Sequence, residues 1–293
     1  MDRLRQLWQN PVAIGYLAGW RVIGRLPRPV ALKLAYCAAD IACGDGKGME
    51  QLRRNLTRVV GAEHVSKKLV QASMRSYARY WIEAFQLPRM ATDPSLLRAL
   101  NDSIEGAEHL AAAQTAGKGV VLTLPHSGNW DMAGLWLAQQ GGFTTVAEKL
   151  KPEVLYEAFV DFRTSLGFSV LAHPTDPAES GPFAQLKAVL EAGGTIALLG
   201  ERDLKQHGVE VDFFGEPARF PAGPALLAIE TGASLHVVDC HFRDNGWGLR
   251  ISEPLKVTTV PATTQDIANR FADNIKAHPE DWHMLQRIWL ADV

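Results

Sequence analysis

Three cysteines in 293 residues, Cys37, Cys43 and Cys240, are too few and too irregularly spaced for a disulfide framework or a zinc ribbon. Buried reduced thiols are the expected state. Long apolar runs are missing too: a spanning helix needs roughly 20 uninterrupted apolar residues, and the nearest candidate, Val12 to Leu26, is broken by Arg21 and Arg25. The apolar part of that stretch is short for a secretion signal and has no small-residue cleavage site close behind it. These absences point to a cytosolic protein. No nucleic-acid module is recognisable, and the net charge of −2 gives such a polymer little to bind, so nucleic acid is not an expected partner. Metal, flavin and dinucleotide signatures are absent. Gly44 to Gly48 lacks both the Walker spacing and a strand leading into it, while His236 and His241 stand five apart on a strand pattern and face opposite ways.

What is present is a globular composition, 47% apolar and 21% charged. The charge is unevenly spread. Residues 1–80 hold 14 Lys and Arg against 5 Asp and Glu, a balance of +9, which leaves −11 for the remainder. A basic, helical, aromatic-containing segment on an acidic body suggests a surface for anionic lipid head groups, with Tyr16, Trp20 and Tyr36 suited to an interface. Packing of the same helices on the main domain is the competing reading.

Residues 4–43 read as two or three helices around Pro11 and Pro27-Arg28-Pro29, followed by helices at 49–60 and 66–87. Beyond a short helix at 104–116, strands and helices alternate. Strands are expected at 120–124, 144–147, 169–172 and 195–199, with helices at 152–166 and 182–191 between them. Later strands fall at 209–214, 235–240 and 247–251, the last two close enough to be antiparallel, and helices at 222–231, 263–276 and 280–290. Such alternation predicts an α/β fold with a mostly parallel central sheet flanked by helices. No repeat or linker divides it, so a single domain is expected, with 1–88 an N-terminal helical membrane-associating cap and 104–293 the α/β core.

The central stretch is 119–134, where the apolar run Val120 to Leu124 ends at Pro125 and capping residues Ser127, Gly128 and Asn129 precede a helix. On an unbroken helix His126 and Asp131 would stand about 140° apart. If His126 instead lies in the turn, the chain can fold it over the first helical turn, where Asp131 accepts a hydrogen bond from one imidazole nitrogen and leaves the other as general base. The plainer alternative is a polar loop and a carboxylate complementing the helix dipole. Thr195 to Gly200 leads likewise into Glu201-Arg202-Asp203, and in an open parallel sheet both strand ends lie on one ligand-binding edge, near each other. Ser127 invites a hydrolase reading but lacks the nucleophile-elbow glycines.

These motifs together resemble a family. His126-Ser127-Gly128-Asn129-Trp130-Asp131 matches the His-x4-Asp signature of glycerolipid acyltransferases. Arg53-Arg54-Asn55-Leu56, Glu148-Lys149-Leu150-Lys151-Pro152, Glu201-Arg202-Asp203-Leu204, Val211 to Gly215, Pro221 to Ala225 and His278-Pro279-Glu280-Asp281-Trp282 extend the resemblance, in order, to the bacterial lipid A lauroyl/myristoyl acyltransferases. Within that family the chain looks most like the actinobacterial branch acting on phosphatidylinositol mannosides. The resemblance implies a peripheral protein on the inner face of the plasma membrane. It also implies transfer of a palmitoyl-type chain from acyl-CoA, with no cofactor, to the 6-hydroxyl of the mannose on inositol position 2 of mannosylated phosphatidylinositol. A lipid A type enzyme using acyl carrier protein, or a thioesterase or lipid hydrolase with Ser127 as nucleophile, are the alternatives. By resemblance His126 is the general base, Asp131 orients it and Glu201 positions the acceptor sugar. Glu148, Lys149, Lys151, Arg163, Arg202 and Asp203 are candidate substrate-binding residues. Phe213, Phe214 and Phe220 either line an acyl groove or pack in the core.

Overall fold

The computed structural model describes residues 11–44, 49–149, 153–174, 181–203, 207–244 and 246–292; Lys151 and most of the Gly44 to Gly48 stretch lie outside them. The expected mixed α/β architecture is present. Seven strands, β1 (Ile104–Glu105), β2 (Val120–Leu124), β3 (Phe143–Glu148), β4 (Phe168–His173), β5 (Thr195–Leu199), β8 (Ser234–Arg243) and β9 (Gly246–Ile251), form one sheet in the order β1-β9-β8-β2-β5-β3-β4. Every neighbouring pair is parallel except the β8–β9 hairpin. The expected helix at 104–116 is instead the short β1 followed by a helix at Ala107–Thr115.

Alternation along the strands sorts side chains to two cores. Val121, Ile196, Leu235 and Val237 face one layer, made by helices α9 (Phe183–Glu191), α10 (Gly223–Thr231) and α11 (Val260–Ala277). Val120, Leu122, Leu124 and Val238 face the other, made by α4 (Lys67–Met90), α5 (Pro94–Asn101), α6 (Ala107–Thr115), α7 (Trp130–Ala138) and α8 (Glu153–Ser165). Burial on both faces is why these strands read as unbroken apolar runs.

Two larger expectations fail as well. Val209–Phe213 (β6) does not join the main sheet; it pairs with Glu216–Phe220 (β7) in a separate antiparallel hairpin. Its Phe213 and Phe220 are fully buried against Trp282, Trp289 and Phe271, packed in the core among the described residues. The segment 280–290 is not a helix. Between 3-10 turns at Pro279–Asp281 and Leu290–Asp292 it has no regular structure, bridging Ser127 through Trp282 and Ala218 through Trp289. Both tryptophans are core residues all the same. Asn55, on α3 (Glu50–Val60), supplies hydrogen bonds to the Met284 and Gln286 carbonyls that a helix would have satisfied internally.

At the N-terminus α1 (Pro11–Ile23) and α2 (Arg28–Cys43) dock on α4. Trp20 packs among Phe85, Phe159 and Phe162 and so faces the protein, and Gln86 donates to the Ile23 and Leu26 carbonyls. The opposite side is open: four of the five large apolar residues exposed among the described residues, Val22, Val30, Leu34 and Ile41, belong to this region, Ile41 at 80% and Leu34 at 59%. Cys37 is exposed there as well, against the expectation of a buried thiol. No described helix is long and apolar enough to cross a membrane.

Candidate active site

Strands β2 and β5 are neighbours, with Leu124 opposite Leu199, so the segments leaving them emerge side by side as the parallel-sheet argument anticipates. Gly200 makes the approach close. Its amide donates to the Leu124 carbonyl, and a Cβ there would lie 2.3 Å from Thr123 Oγ1. Glu201 is thereby driven under the turn, fully buried, with Oε1 2.8 Å from His126 Nδ1. The same oxygen accepts the His126 main-chain N–H. An ionised carboxylate only accepts, so Nδ1 carries the proton and Nε2 is the basic nitrogen.

The turn itself is held from several directions. Gly128 adopts φ +57°, and a Cβ would strike the Cys240 carbonyl at 2.6 Å, so this crossing over β8 admits only glycine. Its amide and the Ser127 hydroxyl both donate to the Asp281 carbonyl, while the His283 amide donates to the His126 carbonyl. Asn129 caps α7 by accepting from the Met132 amide and donates its side-chain amide to Glu83. Glu83, fully buried, also gathers Arg28, Arg79 and the Trp247 indole N–H, which ties the turn to α2, α4 and β9 together. Ser127 is 2% exposed with its proton committed to a carbonyl, geometry that does not suit a nucleophile. The Ser127 and Gly128 amides, natural candidates for oxyanion donors, are already committed to the Pro125 and Asp281 carbonyls.

Asp131 does not orient His126. Second in α7, it projects toward the neighbouring helices, accepting from Tyr80 Oη at 2.9 Å and Arg163 Nε at 2.9 Å. Burial, the largest single influence, works against the Arg163 charge, but Asp131 and Tyr80 together hold the guanidinium above its ordinary range. Burial first, and Asp131 second, push the Tyr80 phenol well above its usual value, so it stays a donor. The two carboxylates have thus exchanged the partners expected of them: Glu201 meets the imidazole, and Asp131 joins buried Tyr80 to half-buried Arg163.

His126 lines a cavity of about 490 Å³ at the C-terminal edge of the sheet. Tyr80, Trp81, Glu148, Arg163, Arg202 and Asp203 line it too; Lys149, whose amide is bonded to the His173 carbonyl, does not, and buried Glu201 touches it only through His126. A narrower apolar crevice of about 70 Å³ shares Val146, Arg163 and Leu199 with this cavity and continues between sheet and helices past Leu122, Phe168 and Ile251. The candidate residues from four separate segments therefore meet around one space.

Sequence reasoning missed a second layer. Ser76 donates to Asp281 Oδ1 at 2.6 Å and lies 2.9 Å from His283 Nε2, and the Phe242 amide donates to Asp281 Oδ2. Burial raises the Asp281 carboxyl, and it drives His283 down to about 3, helped by the neighbouring His126. The motif ending in Asp281 and Trp282 is visible in the sequence, but its contact with residue 128 is not a local property. None of the metal-ligating side chains that cluster among the described residues, Asp239, His241 and His278, lines the cavity.

The profile of the family described as bacterial lipid A biosynthesis acyltransferase matches residues 6–291. A protein named phosphatidylinositol mannoside acyltransferase from Mycolicibacterium smegmatis is 52% identical over 285 residues, 96% of this chain and 92% of that one. Proteins of the same name from two strains of Mycobacterium tuberculosis are 51% identical over 283 residues, 95% of this chain and 88% of theirs. With a match that runs almost end to end and relatives at half identity, this chain belongs to the bacterial lipid A biosynthesis acyltransferase family.

Proposed function

We propose that the protein transfers a palmitoyl-type chain from acyl-CoA to the 6-hydroxyl of the mannose on inositol position 2 of a phosphatidylinositol mannoside. The observation that carries the chemistry is the His126–Glu201 pair at the cavity wall, with Nδ1 occupied and Nε2 without a protein partner among the described residues. Nε2 takes the hydroxyl proton as the sugar oxygen attacks the thioester carbonyl, whose π electrons move to its oxygen. Collapse of the tetrahedral intermediate breaks the C–S bond and expels the thiolate, which recovers the proton from His126. Glu201 balances the transient imidazolium, the part an acid plays behind histidine in hydrolytic triads. No acyl-enzyme forms.

Substrate assignment rests on the names of the relatives and on the shape of the site. The larger cavity is mostly apolar, with Glu148, Arg202 and Asp203 as charged points on its walls that suit a sugar and a phosphorylated carrier; its apolar walls and the adjoining crevice suit hydrocarbon. Arg163, common to both, stands where carbonyl and chain would meet. The exposed Val22, Val30, Leu34 and Ile41, interspersed with Arg21, Arg25 and Lys33, give the N-terminal helices a face for an anionic membrane, the source of the lipid acceptor.

The test is mass spectrometry of wild-type and His126→Ala protein incubated with palmitoyl-CoA and mannosylated phosphatidylinositol. The expected result is a new mannose ester made by the wild type alone. Free palmitate without lipid product would indicate hydrolysis instead. Turnover only with acyl carrier protein and a glucosamine-based lipid would assign the chain to lipid A chemistry.

A further inference from the structure

Asp239 and His241 alternate with Cys240 on β8 and so share the face covered by α11. His278, the C-terminal cap of α11, comes down over them. The His241 and His278 rings stack with centroids 3.9 Å and planes 9° apart, and His241 Nδ1 lies 3.2 Å from Asp239 Oδ2. One donor atom from each of the three residues falls within 4.8 Å of the other two. The sequence sets His241 aside because His236 faces away from it. His236 is indeed engaged elsewhere, by Ser234 Oγ and the Ser252 carbonyl; the companion of His241 arrives from another element.

Three features make this more than a chance cluster. Asp239 is only 7% exposed, yet among the described residues it has no Lys or Arg partner, and its side chain bonds to His241 alone. A buried carboxylate in that position calls for a cation. Opposite His241 on β9 stands Gly248, where a Cβ would fall 2.0 Å from Nε2, so glycine lets the imidazole lie flat on the neighbouring strand and turn Nδ1 toward Asp239. Asp239 also lines a polar cavity of about 460 Å³, whose walls carry Glu105, Glu108, Glu253 and Asp273 against Arg250 and Arg270, an acidic approach for an ion.

We propose that Asp239, His241 and His278 bind a divalent transition-metal ion, zinc being the best match. Two imidazoles and one carboxylate suit a borderline ion rather than magnesium or calcium, which take oxygen ligands. A tetrahedral ion with bonds of about 2.0–2.1 Å separates its ligands by about 3.4 Å. The Asp239–His241 edge is already close to that. The His278 ring, stacked flat on His241, has to swing so that its in-plane lone pair meets the ion, and it sits on non-helical backbone at a helix end where such a swing breaks no helical hydrogen bond. The role is structural. Three residues beyond His278, the Asp281 carbonyl receives the Gly128 amide of the catalytic turn, so an ion here fixes where α11 ends and where the clamp on that turn begins.

The experiment uses tag-free full-length protein stripped with chelator, titrated with Zn²⁺ by calorimetry and with Co²⁺ by visible absorption. One equivalent is expected to bind, with tetrahedral Co²⁺ bands and a Zn²⁺-dependent rise in Tm. His278→Ala and Asp239→Asn are each expected to weaken binding by more than about tenfold, a loss that even outer partners of metal ligands produce. His126→Ala should keep full stoichiometry. Circular dichroism of His278→Ala, altered at a partly exposed helix end, checks that the fold is intact. Absence of saturable binding overturns the proposal. So does binding undiminished in both variants, or lost in His126→Ala, which would move the ion to the active site.

Discussion

The exchange of partners between Asp131 and Glu201 can be tested by neutralising each in turn. In Glu201→Gln an acceptor oxygen remains for His126 Nδ1, so the ring keeps its place and only the charge is lost. With the imidazolium and carboxylate charge centres about 4 Å apart, an effective dielectric of about 20 gives about 4 kcal/mol. His126 is 19% exposed and screening takes part of that, so a fall in kcat of about 10²–10³ is expected with KM little changed. Asp131→Asn should behave differently. It strands the half-buried guanidinium of Arg163 beside an uncharged side chain, a defect that costs up to about 3 kcal/mol and lowers Tm by about 6–10 °C, because each kcal/mol is worth about 2–4 °C in a large domain.

The assay is initial-rate release of free thiol from palmitoyl-CoA in the presence of acceptor lipid, run beside thermal unfolding of the three proteins. Glu201→Gln should lose rate and keep Tm. Asp131→Asn should lose Tm, and its remaining rate measured well below that Tm should exceed that of Glu201→Gln. The reasoning is refuted if Glu201→Gln stays within about threefold of wild type, or if Asp131→Asn keeps its Tm and loses the greater share of kcat.

Buried His283, held near 3, binds a proton in the unfolded chain first, so stability should fall as pH drops from about 6.5 toward 3. By pH 5 the loss is about 2 kcal/mol relative to neutrality, and Asp281, whose raised carboxyl takes up protons in the folded state, acts in the opposite sense in the lower part of that range. Urea unfolding at both pH values should show this loss in wild type and not in His283→Gln; equal losses would rule it out. On the N-terminal face, Leu34→Glu and Ile41→Glu should each weaken binding to vesicles containing phosphatidylinositol by about tenfold, from partial loss of apolar burial, and added salt should weaken it further. Unaltered sedimentation of the double variant would place the membrane contact elsewhere. Ser127→Ala should retain most activity, losing about 1 kcal/mol of stability with its hydrogen bond, and intact-mass spectra of the wild type should show no acyl adduct. Inactivation of a folded Ser127→Ala protein would restore the hydrolase mechanism.

Much of the sheet was legible because its strands are buried on both faces and announce themselves as apolar runs stopped by Pro125 or Gly200. Parallel alternation then brought Glu201 to the edge shared with His126 without any knowledge of contacts. Three features escaped for different reasons. The spacing of Trp282, Leu285, Ile288 and Trp289 fits a helix, but two β-bridges and the side chain of Asn55 hold that segment out of one, a tertiary effect that periodicity does not register. Strand β7 was missed although Phe214 and Gly215, both at positive φ, make a two-residue hairpin turn that the glycine could have signalled. The partners of Asp131 lie on α4 and α8, and helical phase indicates only where its side chain does not point.

That last failure explains what the spacing from His126 to Asp131 measures. Each residue between them is tied down in its own way. Ser127 and Gly128 fasten to the Asp281 carbonyl, and Asn129 caps α7 while reaching Glu83. Trp130 packs its ring 3.9 Å from Tyr80, and Asp131 closes the set on Tyr80 and Arg163. The stretch is one strand-to-helix turn in which the histidine faces the cavity and the aspartate faces the helices. The distance between them is therefore that of a turn anchored at both ends, and the charge behind the imidazole comes from the neighbouring strand. A change in the length of this turn should displace His126 from Glu201 and Asp131 from Arg163 at the same time, because both carboxylate contacts depend on the same few bonds of backbone.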